Sequence, residues 1–161
     1  MDHARAVSRL LRSEDPVHIA VGERALWSIW FRQAGPEAAE ILHAAAHRAA
    51  EGQVVESTRL FNRLIAEHPD FAEAYHQRGM ARYLWDHYYG AMSDLLRAVQ
   101  LNPIHFAAMA NLGHCSVQLG RYEAAQEWYL AALRVHPRLT GIRPMLRRLQ
   151  DFMNPGTALP A

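Results

Sequence analysis

The chain of 161 residues is 50% apolar and 20% charged, which suffices for a buried core in one folded unit and rules out a disordered chain. With 17 Lys and Arg against 16 Asp and Glu, no strong field exists to attract a nucleic-acid backbone or an anionic bilayer. A single cysteine, Cys115, excludes an internal disulfide and a thiolate zinc cluster, so packing alone must hold the fold.

The first twenty residues carry His, Arg, Ser, Glu, Asp and Pro where a secretory leader would have an apolar run. No apolar stretch approaches the roughly 20 residues of a membrane span. A cytoplasmic protein is the expectation, a leader removed before Met1 the alternative. Within residues 1–37, Val7, Leu10 and Leu11 suggest a short helix, Pro16 interrupts, and 17–33 can form a second helix closed by Gly35 and Pro36. Ala25, Leu26, Trp27, Ile29, Trp30 and Phe31 make this segment unusually apolar. Two readings stay open: a degenerate, repeat-like cap packed on the first repeat, or an exposed dimerisation face built on Trp27, Trp30 and Phe31.

From residue 38 the chain repeats itself. An offset of 34 residues brings Pro69, Pro103 and Pro137 into register, together with Gly52, Asp86 and Gly120, then Val54, Tyr88 and Tyr122. Ser57, Ala91 and Ala125 come next, then Phe61, Leu95 and Tyr129, then Leu64, Ala98 and Ala132. Helices are predicted over 37–51, 53–67, 70–85, 87–101, 104–119 and 121–135. Asp70 and Glu73 have the spacing of a capping box. Small residues at Ala45, Gly79 and Gly113 would let the two helices of each pair approach closely, while Phe61, Leu95 and Tyr129 fill the space between pairs. The prolines stop each pair and restart the next. After Pro137, the spacing of Ile142, Met145, Leu146 and Leu149 predicts a capping helix over 140–152. The Pro- and Gly-bearing tail 153–161 is expected to be loose.

The third unit, with Met109, Leu112, Gly113, Gly120, Tyr122, Ala125, Tyr129, Ala132 and Pro137, resembles a tetratricopeptide repeat. Tyr75, Gly79, Ala91, Leu95, Ala98 and Pro103 carry the resemblance in the second. The first has a weaker front half with Ile41, Ala44 and Ala45. The resemblance implies an all-α fold, a right-handed superhelical solenoid with repeats at 38–71, 72–105 and 106–139. It also implies a non-enzymatic scaffold or adaptor that holds a partner polypeptide, with no cofactor. The Trp-rich leading helix before three repeats is similar to that of certain bacterial tetratricopeptide proteins. In size and layout the chain also resembles type III secretion chaperones, which tend to be more acidic.

In this family the first helix of each pair lines a concave groove. Carried across, that role falls on Ala39, Leu42, Ala46 and Ala49, on Glu73, His76, Met80 and Tyr83, and on Ala107, Ala110, His114 and Val117. Such a wall suits an apolar helix or an extended peptide; the alternatives are small residues that merely permit curvature, or a groove filled by the chain's own terminus. Members that clamp a chaperone's C-terminal carboxylate use Lys, Asn and Arg at places that resemble Leu42, Ala46, Gln77, Ala107 and Asn111 here. The basic residues are missing, so that ligand is not expected.

Arg48, Arg82 and Ser116 replace the family's first-helix aromatic. The arginines could form a ladder for an acidic partner, or pack their stems and reach local carboxylates. Glu40, His43, His47 and Glu51 share one helical stripe, a donor set a divalent ion accepts, although such stripes mostly form i, i+4 pairs in water; no metal is expected. His68 and His136 precede equivalent prolines and read as structural. Cys115 neighbours His114 in sequence, but successive helical residues point about 100° apart, so no dyad is expected.

Overall fold

The computed structural model describes residues 2–154, and every regular element among them is helical. Helix α1 (Asp2–Ser8) runs into a 3-10 turn at Arg9–Arg12, followed by α2 (Pro16–Phe31). Three hairpins succeed one another: α3 (Pro36–Ala50) with α4 (Val54–Glu67), α5 (Ala72–Leu84) with α6 (Tyr88–Leu101), and α7 (Phe106–Gln118) with α8 (Tyr122–Val135). Helix α9 (Ile142–Met153) closes the described chain. The expected tail lies, from residue 155 on, outside the described residues.

The sharp reversal inside each hairpin falls on Gly52, Asp86 and Gly120, with φ of 74°, 59° and 68°. The left-handed region favours glycine, and aspartate is among the few other residues that visit it readily. Close packing follows from the small residues of the first helices. A Cβ at Gly79 would stand 2.9 Å from Leu95 Cγ, and one at Gly113 would stand 2.3 Å from Tyr129 Cε1. Leu95 and Tyr129 are buried beneath those glycines, within their own pairs rather than only between pairs, and Phe61 is buried in the first hairpin.

One local expectation fails. Helix α5 is N-capped by Phe71 with no side-chain cap, and Glu73 turns into the core, where it is fully buried. Asp70 and Glu73 therefore do not form a capping box; two histidines hold Glu73 more strongly than an exposed backbone N–H would.

Successive hairpins meet where the second helix of one packs on the first helix of the next, α4 on α5 and α6 on α7, and α5 also touches both α3 and α7, so the first helices form one wall of the stack. Helix α2 lies across this wall. Phe31 stacks on His43 of α3, with centroids 4.8 Å apart at 15°, and Trp27 lies 6.0 Å from His76 of α5. Trp30 stacks on His105 at 4.5 Å and 25° and meets Phe106 of α7 at 5.4 Å. Glu23 accepts a 2.6 Å hydrogen bond from His136 after α8, Arg12 donates to Arg134 O at 2.6 Å, and Gln33 donates to Asp70 O at 2.9 Å. The segment expected to cap the first hairpin instead reaches all three. Leu11, Leu26, Trp30 and Phe106 form its core with the stack.

Candidate functional site

The wall divides into a closed and an open half. At the amino-terminal ends of the first helices, Leu42, Glu73, His76 and Ala110 are buried, and α2 covers His76 and the adjoining Phe106. Ala49 is buried as well. Toward the other end, Ala46, Met80, Tyr83, His114 and Val117 remain partly exposed. Of the twelve residues of the predicted groove, five are thus buried and seven keep some surface. The seven include Ala39 and Ala107, also only partly buried. Trp30 is 3% exposed, and Trp27 and Phe31 are partly buried, because the chain's own hairpins use these rings. Of the alternative dimerisation face, Trp30 is therefore used within its own chain, which removes its apolar area from water without a second copy, while Trp27 and Phe31 keep part of their surface.

Beneath Trp27 lies a polar network that the sequence pattern does not predict. Glu73 accepts from Gln77 Nε2 at 2.7 Å and pairs with His76 Nδ1 and His105 Nε2, each at 3.0 Å. Asn111 Nδ2 lies 3.0 Å from His76 Nε2, and Ala108 N–H donates to His105 Nδ1 at 3.2 Å. This last bond fixes the tautomer: His105 Nδ1 is an acceptor, so Nε2 carries the proton that Glu73 receives. Burial pushes the Glu73 carboxyl up, but His76 and His105 outweigh it and hold the group below the usual carboxylate range. Burial and the neighbouring His76 push His105 down to about 4, against the opposing pull of Glu73.

Glu73, His76 and His105 bring three potential ligand atoms within 4.8 Å of one another. Two imidazoles and a carboxylate are a donor set that divalent ions accept. Here the protonated Nε2 of His105 has no lone pair to offer, and the second nitrogen of a ligating histidine should donate, whereas His105 Nδ1 accepts. The cluster holds helices together. A histidine one residue before a first helix, 32 positions from an inward glutamate, was the legible clue; the spacing from Asp70 pointed to a cap instead.

The other sequence candidates resolve locally. Arg82 donates to Gly90 O at 3.2 Å and pairs with Asp94 at 2.8 Å, while Arg78 binds the same carboxylate in a fork at 2.8 and 2.7 Å. Arg48 donates to Gln53. The arginines therefore do not form a ladder toward a partner. In the Glu40 to Glu51 stripe, His43 stacks on Phe31 and His47 pairs with Glu51 at 3.3 Å, so the four do not converge. His136 is buried, and its Nδ1, like Trp30 Nε1, has no hydrogen-bond partner among the described residues. Cys115 is fully buried and its thiol is pushed up to about 11 by burial, so it stays a thiol at neutral pH. Of the clamp-equivalent positions, Gln77 and Asn111 are engaged with Glu73 and His76, and Leu42 is core.

The family model for the tetratricopeptide repeat matches residues 72–105 and 106–138, which are the hairpins α5–α6 and α7–α8. Over these two hairpins the chain belongs to the tetratricopeptide repeat family. None of the curated proteins matches it in sequence. Among solved structures it is similar to the first tetratricopeptide domain of Spaghetti (RPAP3) bound to the HSP90 peptide SRMEEVD. That match has a TM-score of 0.68 and 20% identity, over 72% of this chain and 92% of that one. The Sgt2 domain from Aspergillus fumigatus gives 0.69 at 18% identity, over 78% and 87%. The second such domain of human RPAP3, in complex with the HSP70 peptide SGPTIEEVD, gives 0.63 at 21% identity, over 67% and 90%. At these identities the likeness concerns the fold. Among the described residues no helix is long and apolar enough to cross a membrane.

Proposed function

We propose that this tetratricopeptide protein is a non-catalytic adaptor of three repeats, 38–71, 72–105 and 106–139, that holds a segment of a partner polypeptide on the open half of its inner wall. The observation that carries this reading is the partial exposure of Met80, Tyr83, His114 and Val117 on adjacent first helices. These residues offer aliphatic and aromatic surface with few polar marks. Gln118 donates to the Tyr83 hydroxyl at 3.3 Å, and His114 Nδ1 shares a 2.8 Å hydrogen bond with the Tyr129 hydroxyl, which sets these rings before any ligand arrives. That the RPAP3 domains hold HSP90 and HSP70 peptides supports a peptide-binding role in general. The absence of basic residues at Leu42, Ala46, Gln77, Ala107 and Asn111 argues against a chaperone carboxylate as the ligand.

The test replaces Met80 and Tyr83 by Glu, singly and together, with circular dichroism to verify the fold. Affinity capture from the native cell should lose its specific partner with each variant, because both residues sit at the centre of the open surface. Unchanged recovery with folded variants would place the interaction elsewhere. A homo-oligomer built on the Trp-rich helix is the weaker reading, since Trp30 is buried within its own chain. Sedimentation across concentration separates the two.

A further inference from the structure

Helix α9 presents a second stripe beside the one that packs it. Ile142, Leu146, Leu149 and Met153 face the last hairpin, while Met145, Arg148 and Phe152, at i, i+3 and i+7, line up on an adjacent face. With Val117, Tyr122, Tyr129 and Leu149 they line a recess of about 310 Å³. Phe152 is 64% and Met145 44% exposed, unusual for such side chains on a surface that none of the described residues covers. Tyr122 meets the Phe152 ring edge-on at 4.9 Å, so the aromatic rim is braced.

The charge around the recess has one sign. Arg148 is its sole charged lining residue, with no acidic residue among the rest. On the other flank of α9, Arg134, Arg143 and Arg147 line a neighbouring hollow that also lacks an acid. Ion pairs absorb Arg63, Arg78 and Arg82 elsewhere, yet Arg147 and Arg148 have no such partner among the described residues. In a chain of net charge +1, this is a local concentration of unneutralised cation beside an apolar recess.

We propose that the α9 recess is a docking site for an acidic peptide segment of a partner protein. One apolar side chain of leucine or phenylalanine size enters between Met145, Phe152 and Val117, and a flanking carboxylate meets Arg148. Guanidinium and carboxylate match in planar geometry, and the exposed position of Arg148 makes the contact a selector of partner more than a source of affinity. Val117 belongs both to this recess and to the open wall, so the proposal rests on the adaptor reading and adds where and by what chemistry one end of the segment is held.

The test uses the full chain, isotopically labelled for NMR, titrated with three capped pentapeptides: Glu-Glu-Phe-Glu-Glu, Glu-Glu-Ala-Glu-Glu and Lys-Lys-Phe-Lys-Lys. The first should shift the resonances of Val117, Met145, Arg148 and Phe152 and bind at least tenfold more tightly than the other two. Arg148→Glu should invert the preference between the acidic and basic phenylalanine peptides, and Phe152→Ser should weaken both at least tenfold. Both substitutions are at exposed positions, and unperturbed spectra elsewhere will verify folding. Equal binding of acidic and basic peptides would overturn the proposal, as would displacement by a single-stranded oligonucleotide. Binding that emerges only after removal of residues 155–161 would assign the recess to the chain's own tail. A dimer abolished by Phe152→Ser would assign it to a second copy. Met80→Glu should leave the pentapeptide titration unchanged. A silent titration alongside partner capture that still depends on Met80 sinks this site and spares the adaptor reading, and the reverse pattern does the opposite.

Discussion

Acidification should weaken this fold well before any carboxylate is protonated, and the cause is His105. An unfolded histidine titrates at 6.5, whereas the buried one titrates at about 4. Between those values the unfolded chain takes up a proton that the folded chain refuses, so the stability present above pH 6.5 is lost as pH falls toward 4. At about 1.36 kcal/mol per pH unit the loss is roughly 2 kcal/mol from pH 7 to pH 5 and about 3 kcal/mol by pH 4. His114, also lowered by burial, adds loss of the same sign. Glu73, held below its ordinary value of 4.5, adds its own loss only below that pH. Urea unfolding followed by tryptophan fluorescence should show the midpoint fall by about 1 M from pH 7 to pH 5, given slopes of about 1–3 kcal/mol per molar. Trp30 is stacked on His105 and reports directly. His105→Asn retains an acceptor for the Ala108 N–H and does not titrate, so it should flatten the dependence over this range while lowering stability at pH 7. A midpoint that holds or rises toward pH 5, or a His105→Asn variant with the wild-type slope, would refute the reasoning.

Four further outcomes are expected from the packing. Gly113→Ala drives a Cβ to 2.3 Å from Tyr129 and should cost about 1–3 kcal/mol by denaturant titration. Trp30→Ala removes a buried ring from the contact between α2 and the stack; it should cost about 3–5 kcal/mol and make residues 1–35 the first to be cleaved in limited proteolysis. Asp86→Gly relieves the one non-glycine left-handed residue among the described residues, at φ 59°, and should raise stability by about 0.5–1 kcal/mol despite losing the Tyr88 hydroxyl contact. Asp94→Ala leaves two arginine heads without their shared, buried carboxylate and should cost about 3 kcal/mol.

The repeat was legible because it obeys local rules that recur at a fixed interval. Pro69, Pro103 and Pro137, the three left-handed turn positions, and the small-over-large pairing of Gly79 with Leu95 and Gly113 with Tyr129 all stem from nearest-neighbour geometry. Helix boundaries from Pro36 onward, α9 included, lie within two residues of those predicted. The destination of α2 was not legible: a Trp-rich helix ahead of a stack satisfies the same pattern whether it caps an end or crosses a face. Glu23 and His136 are separated by 113 positions and carry no mutual signal in one sequence. The Glu73 network failed for a related reason. A carboxylate three residues after Asp70 looks like a cap, and only the arrival of His105 from the next hairpin makes inward burial cheaper than exposure.

The placement of α2 also decides which part of the wall can bind anything else. It is tethered to α3 by the short stretch 32–35, so a competitor for the closed half faces a local helix at an effective concentration of about millimolar. A free segment of equal intrinsic affinity at micromolar concentration would lose that contest by about a thousandfold. It would also have to replace the Glu23–His136 bond and the stacking of Trp30 on His105. No such cost attaches to Met80, Tyr83, His114 and Val117, which lie beyond the reach of α2 and run toward the recess under α9. In the proposed adaptor, a partner segment is therefore directed to the carboxy-terminal side of the wall by exclusion as well as by composition. Removing the tryptophans should enlarge the range of segments the protein captures more than it strengthens the capture of any one.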